Sequence, residues 1–193
     1  MRKIRIFISS PGDVQIERNI ARNVISELNT LYAKYTTIET LMWEDFPLSA
    51  DSTFQDGINY FITDKPIDIA VFILWSRLGT PLCKKFRKED GSPYKSGTEY
   101  EFDLMMKSHN ENNHPSRILT YVKNCKKVTQ DISDISDLEE FLNQKKAVEG
   151  FLTEYFRDEE TNSNYAYLSF GENISFEQIF RKHIINAIRD MRD

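Results

Sequence analysis

Apolar positions in this chain follow two spacings in turn. Ile67-Asp-Ile-Ala-Val-Phe-Ile-Leu-Trp75 is nearly continuous and rich in β-branched residues. Such a run predicts a strand covered on both faces, as in a parallel sheet. Ile4-Arg-Ile-Phe-Ile8, Ile38-Glu-Thr-Leu-Met-Trp43, Arg117-Ile-Leu-Thr-Tyr-Val122 and the alternating Tyr165-Ala-Tyr-Leu-Ser-Phe170 predict four more strands. Between them the spacing becomes helical. Ile20, Ala21, Val24, Ile25, Leu28, Leu31, Tyr32 and Tyr35 recur at three- and four-residue steps and predict a helix over 14–35, capped by Asp13. Glu17, Arg18, Arg22 and Glu27 lie off its apolar stripe. Phe54, Ile58, Phe61 and Ile62 predict a short helix over 53–63. Ser96-Gly-Thr opens a helix that continues to Ser108, with a polar turn over 109–115. An acidic, turn-like stretch over 131–138 precedes a helix over 138–157, and Ser175 caps a last helix.

Strands alternating with helices predict an α/β fold around a central, mainly parallel sheet of five strands. At 193 residues the expectation is a single domain over 1–193, with a core over 1–125 completed by 126–193. The final helix runs to the last residue without a tail, which suggests the N-terminal part of a longer protein. The opening residues enter a strand directly, so no signal peptide is expected, and no apolar run reaches the roughly 20 residues of a membrane span.

A net charge of −5 argues against a dedicated nucleic-acid binder, which needs a basic face. Two cysteines, Cys83 and Cys125, set no disulfide framework, and reduced thiols in the cytoplasm are expected. The three histidines share no metal-ligand spacing with them, so no metal site is expected.

Ligands in open α/β sheets bind beyond the carboxyl ends of strands, near helix N-termini. Gly97-Thr98-x-x-Glu101 places a carboxylate one turn into such a helix. A carboxylate there can stabilise, or attack, an oxocarbenium-like sugar during glycosidic cleavage. A glutamate that only complements the helix dipole is the plainer alternative. Glu99 is the rival, but two residues is roughly 200° of helix, so both cannot face one ligand. Ser9 and Ser10, after the first strand, offer a phosphate seat or a simple turn. Trp43, Trp75, Ser76 and Arg77 lie at the carboxyl ends of strands. There a tryptophan can stack on a ring or pack under a loop, and Arg77 can pair with a phosphate. Lys84, Lys85, Arg87, Lys88 and Lys95 form a basic loop that can attract an anionic ligand, with a solvated, flexible loop the plainer expectation.

Four segments together resemble a TIR-like domain. They are Arg5-Ile-Phe-Ile-Ser-Ser-Pro-Gly-Asp-Val-x-x-Glu-Arg18, Trp43-Glu44, Asp68-Ile-x-Val-x-x-Leu-Trp-Ser-Arg-Leu-Gly-Thr-Pro81 and Ser96-Gly-Thr-Glu-Tyr-Glu-Phe102. The resemblance covers 4–122 in order. More narrowly, the segments resemble the bacterial version at the N-terminus of STAND NTPases that act in antiphage defence. It implies a flavodoxin-like three-layer sandwich and a cytoplasmic location. It further implies cleavage of the nicotinamide–ribose bond of NAD, which enters as substrate with no separate cofactor. By the same resemblance Glu101 is the catalytic glutamate. Ser9, Ser10, Trp43, Trp75, Ser76, Arg77 and Thr98 contact the nucleotide. The implied partners are further copies of the domain and the NTPase and repeat regions of a longer chain, not nucleic acid or membrane. The Gly-Thr-x-x-Glu pattern also resembles nucleoside 2-deoxyribosyltransferases, which implies glycosidic chemistry on another nucleoside as an alternative. A non-enzymatic assembly module is the other. The family's usual tryptophan-containing run before the glutamate is here Ser96-Gly97-Thr98.

Overall fold

The computed structural model describes residues 2–42, 66–83, 85–125, 134–157 and 166–191. Its five strands are β1 (Arg2–Ser9), β2 (Thr36–Met42), β3 (Ile69–Leu74), β4 (Arg117–Asn124) and β5 (Leu168–Gly171). They form one sheet in the order β2-β1-β3-β4-β5, with every neighbouring pair parallel. The described α-helices are α1 (Gln15–Tyr32), α2 (Gly97–Asn112), α3 (Ile135–Phe156) and α4 (Phe176–Asp190). This is the flavodoxin-like order, in which the chain leaves β1 towards one edge and returns at β3 to build towards the other. The expected helix over 53–63 lies outside the described residues.

The all-apolar β3 splits between two cores because successive side chains point to opposite faces. Ile69, Val71 and Ile73 join Ile4, Ile6 and Ile8 of β1 beneath α1 and α4. Ala70, Phe72 and Leu74 join Phe7 beneath α2 and α3. All six residues of β3 are buried, as its unbroken apolar run predicts. Among the described residues no helix is long and apolar enough to cross a membrane.

Several boundaries differ from the sequence reading for local reasons. Helix α2 runs past Ser108 to Asn112, and Asn113 then closes it in the left-handed conformation at φ 56°. Asparagine tolerates that conformation better than other non-glycine residues. Helix α3 starts inside the stretch expected to be a turn, because the Asp134 side chain accepts from the Asp137 N–H and caps it. Its first half leaves Ile135, Leu138 and Leu142 exposed, and full burial begins at Val148. Ser175 caps α4 as predicted.

Asp13 does not cap α1. The residue before α1 is Val14, and no side chain caps that end. Asp13 reaches across the sheet instead. Its Oδ2 accepts from Ser76 N (2.9 Å), Ser76 Oγ (2.9 Å) and Arg77 N (3.0 Å), tying the loop after β1 to the loop after β3. Removing the carboxylate strands three donors at a part-buried position. Each orphaned donor costs about 1–3 kcal/mol before relaxation. Asp13→Ala is expected to lose about 2–3 kcal/mol in urea unfolding, and Asp13→Asn, which keeps one acceptor oxygen, distinctly less.

Periodicity puts Glu17 and Arg18 off the apolar stripe, yet both are buried, at 6% and 2% exposure. Each is buried with partners. Lys123 Nζ lies 2.8 Å from Glu17 and also stands 4.5 Å over the Trp75 ring. Arg18 donates to the Ser10 hydroxyl (2.8 Å) and to the carbonyls of Ser10 (2.7 Å) and Pro11 (2.9 Å). A helical wheel cannot see this, because Arg18 meets the loop backbone after β1 and Glu17 meets a lysine near the end of β4.

Candidate functional site

The loops that leave β1 and β3 part at their carboxyl ends, where the strand order reverses. Between them and the first turns of α2 lies a cavity of about 490 Å³. That volume falls in the range of small-molecule sites. Ser9, Ser10 and Gly12 line it from the β1 side. Gly79 to Cys83 and Phe86 line it from the β3 side, and Gly97, Thr98 and Glu101 line it from α2. Much of the wall is apolar, from Pro11, Pro81, Leu82 and Phe86, with few polar groups facing in.

Local sequence explains how α2 arrives there. Ser96 caps the helix by accepting from the Glu99 N–H at 3.1 Å. Gly79 takes φ +114°, a conformation that side chains other than hydrogen resist. A Cβ built there would stand 3.4 Å from the Thr98 hydroxyl oxygen, so the β3 loop runs close against the start of α2.

Glu101 projects from the second turn into the cavity and is 7% exposed. Ser9 Oγ donates to its Oε2 at 2.5 Å. Glu99, the rival, turns the other way and does not line the cavity. It is fully buried. Its Oε2 accepts from Lys95 N (2.5 Å), and Lys88 Nζ lies 2.9 Å from its Oε1. Glu154 of α3 completes the cluster, contacting Lys88 and standing 2.9 Å from Lys95 Nζ.

The basic loop is therefore not simply solvated, since Lys88 is drawn in over Glu99 and Glu154. Burial alone would lower the Lys88 pKa, but the carboxylates of Glu154 and Glu99 outweigh it and hold the ammonium above its usual value. For Glu154, burial pushes the pKa up, and Lys88 and Lys95 more than reverse that push, leaving it below the usual 4.5. A carboxyl group whose pKa is depressed on folding adds stability above its unfolded value and loses it as pH falls through the folded one. Glu154→Gln is thus expected to cost about 0.5–1 kcal/mol at pH 7, a half-exposed pair being worth no more. The gap to wild type should hold down to about pH 5 and close between there and pH 3, followed by urea unfolding at each pH.

The site residues expected from sequence separate into three groups. Ser9, Ser10, Thr98 and Glu101 meet around the cavity. Trp75, Ser76 and Arg77 are not in its lining. Trp75 packs against the core on the α1/α4 side under Lys123, Ser76 bonds Asp13, and Arg77 pairs with Glu140 at 2.7 Å. Trp43 lies outside the described residues. Arg18, Gly79 and Phe86 line the cavity, although the sequence reading does not mark them as site residues. Arg18 stands inside the Pro-Gly-Asp-Val-x-x-Glu-Arg segment, the one signal able to raise it. Among the described residues no group of three His, Cys, Asp or Glu side chains is placed to hold a metal ion. No family model matches the chain, and no curated protein matches it closely enough to count as a relative.

Proposed function

We propose that this chain is the TIR-like effector domain of a bacterial antiphage STAND sensor and that it cleaves the nicotinamide–ribose bond of NAD. One observation carries the reading: a buried carboxylate, Glu101, faces a cavity at the β1/β3 switch point and is held there by Ser9. The chemistry suits a single carboxylate. When the bond from C1′ to the nicotinamide nitrogen breaks, the electron pair goes to that nitrogen and cancels its positive charge. The leaving group then needs no proton, so no second acid is required. The positive charge appears on the ribose, where Glu101 stabilises it, either as a counter-ion or by bonding transiently to C1′. Water adds at C1′ and releases one proton, giving ADP-ribose and nicotinamide. The apolar part of the wall lowers the local dielectric and strengthens the carboxylate's field.

Incubating the concentrated chain, or a forced oligomer of it, with NAD tests this. Nicotinamide and ADP-ribose should accumulate in equal amounts. NAD left intact by the assembled protein would remove the enzymatic reading. A panel of other nucleosides and nucleotides, read by mass spectrometry, separates the alternative of glycosidic chemistry on a different substrate. A second class of function, a homotypic assembly module, draws support from the exposed Ile135, Leu138 and Leu142 at helical spacing on α3. Oligomers that leave every nucleotide intact favour it.

A further inference from the structure

We infer that Ser9 is a positioning residue for the reaction, setting the orientation of Glu101 rather than holding the nucleotide. The inference rests on the reading of Glu101 as the reacting carboxylate. Ser9 is the last residue of β1, paired in register with Phe72 of β3, so its backbone is fixed by the centre of the sheet. The residue is 4% exposed, and its hydroxyl donates to Glu101 Oε2 at 2.5 Å. A hydroxyl has one proton to give, and here it is given to Glu101.

The contact joins the centre of the sheet to a long side chain on α2. Glutamate has three side-chain torsions, and fixing one oxygen removes most of that freedom at the reacting end. The neighbouring turn is held as firmly. Arg18 grips the Ser10 hydroxyl and the carbonyls of Ser10 and Pro11, so the chain after Ser9 cannot swing its hydroxyl away. A carboxylate displaced by about 1 Å from the forming sugar cation costs on the order of 100-fold in rate, although substrate still enters the cavity.

The test uses Ser9→Ala and Ser9→Thr in the active protein. Ser9→Ala should lower kcat about 10- to 100-fold with KM changed less than about threefold, since binding is left intact. Ser9→Thr, which restores the hydroxyl, should recover most of kcat. A second readout needs no turnover: the side-chain carboxyl carbon-13 resonance of Glu101, assigned by its loss in Glu101→Gln. It should move in Ser9→Ala and return in Ser9→Thr. Wild-type kcat in Ser9→Ala, a kcat loss that threonine does not rescue, or an unmoved resonance overturns the positioning role. A wild type that cleaves no nucleotide overturns the reading of the site itself. An active wild type indifferent to Ser9→Ala overturns only the role of Ser9.

Discussion

Glu101→Gln is expected to reduce NAD cleavage by at least about 10²–10³-fold while leaving the midpoint of thermal unfolding within a few degrees. The substitution keeps the side chain's shape and one oxygen that can accept from Ser9, but removes the negative charge. A neutral amide offers little to a developing sugar cation, and it cannot form a stable covalent sugar intermediate. Because Glu101 sits at a cavity wall rather than inside either apolar core, little packing is disturbed. Nicotinamide release and differential scanning fluorimetry on the same preparation separate the two effects. Full cleavage by a folded Glu101→Gln protein would assign the chemistry elsewhere. The matching change at Glu99 should behave in the opposite way. Its carboxylate is committed to Lys88 and the Lys95 backbone, so its loss should be felt in stability first.

The largest loss of stability is expected at Phe102. Its ring lies 5.0 Å from that of Phe72, 5.1 Å from Phe151 and Tyr155, and 5.4 Å from Phe156. These rings fasten α2 to both β3 and α3. Phe102→Ala empties the centre of that cluster and should cost about 3–5 kcal/mol, measured by the urea midpoint at unchanged slope. Because the edge-on ring packing disappears as well, the effect should fall towards the upper end. Since Glu101 is the adjacent residue, partial release of α2 should also lower cleavage well below the unfolding midpoint. Phe102→Leu, which refills much of the space, should recover most of both losses.

How far the chain can be read in advance depends on the physical signal involved. Apolar spacing and helix-start signals such as Ser96-Gly-Thr and Ser175 are strong, and together they locate the five described strands and the four described α-helices. The unbroken run in β3 even forecasts its burial on both faces. The parallel order also points to the carboxyl ends of β1 and β3, where the cavity lies. Long-range polar contacts leave no such trace. Asp13 looks like a helix cap from its neighbours in sequence, and only the fold brings Ser76 and Arg77 within its reach. Arg18 reads as a solvated residue because a helical wheel assumes that the side away from the apolar stripe meets water. Trp75 and Arg77 show the same limit. A strand end fixes where a residue lies along the sheet, but the alternation of side chains and the nearest opposite charge decide which way it points. Lys88 is the clearest case, since a lysine in a polar loop carries no mark of the two glutamates that draw it in.

Two glutamates set two residues apart on α2 give that helix a fixed rotational phase. One is anchored by lysine on the side facing Glu154 of α3, and the other is directed into the cavity by serine. Turning the helix about its axis would have to break both anchorages together. An insertion or deletion of one residue between Ser96 and Glu99 carries about 100° of rotation and would disengage both acids from their partners. A change of length between Ser96 and Glu101 should therefore disturb both acids at once, where a single substitution disturbs only one of them.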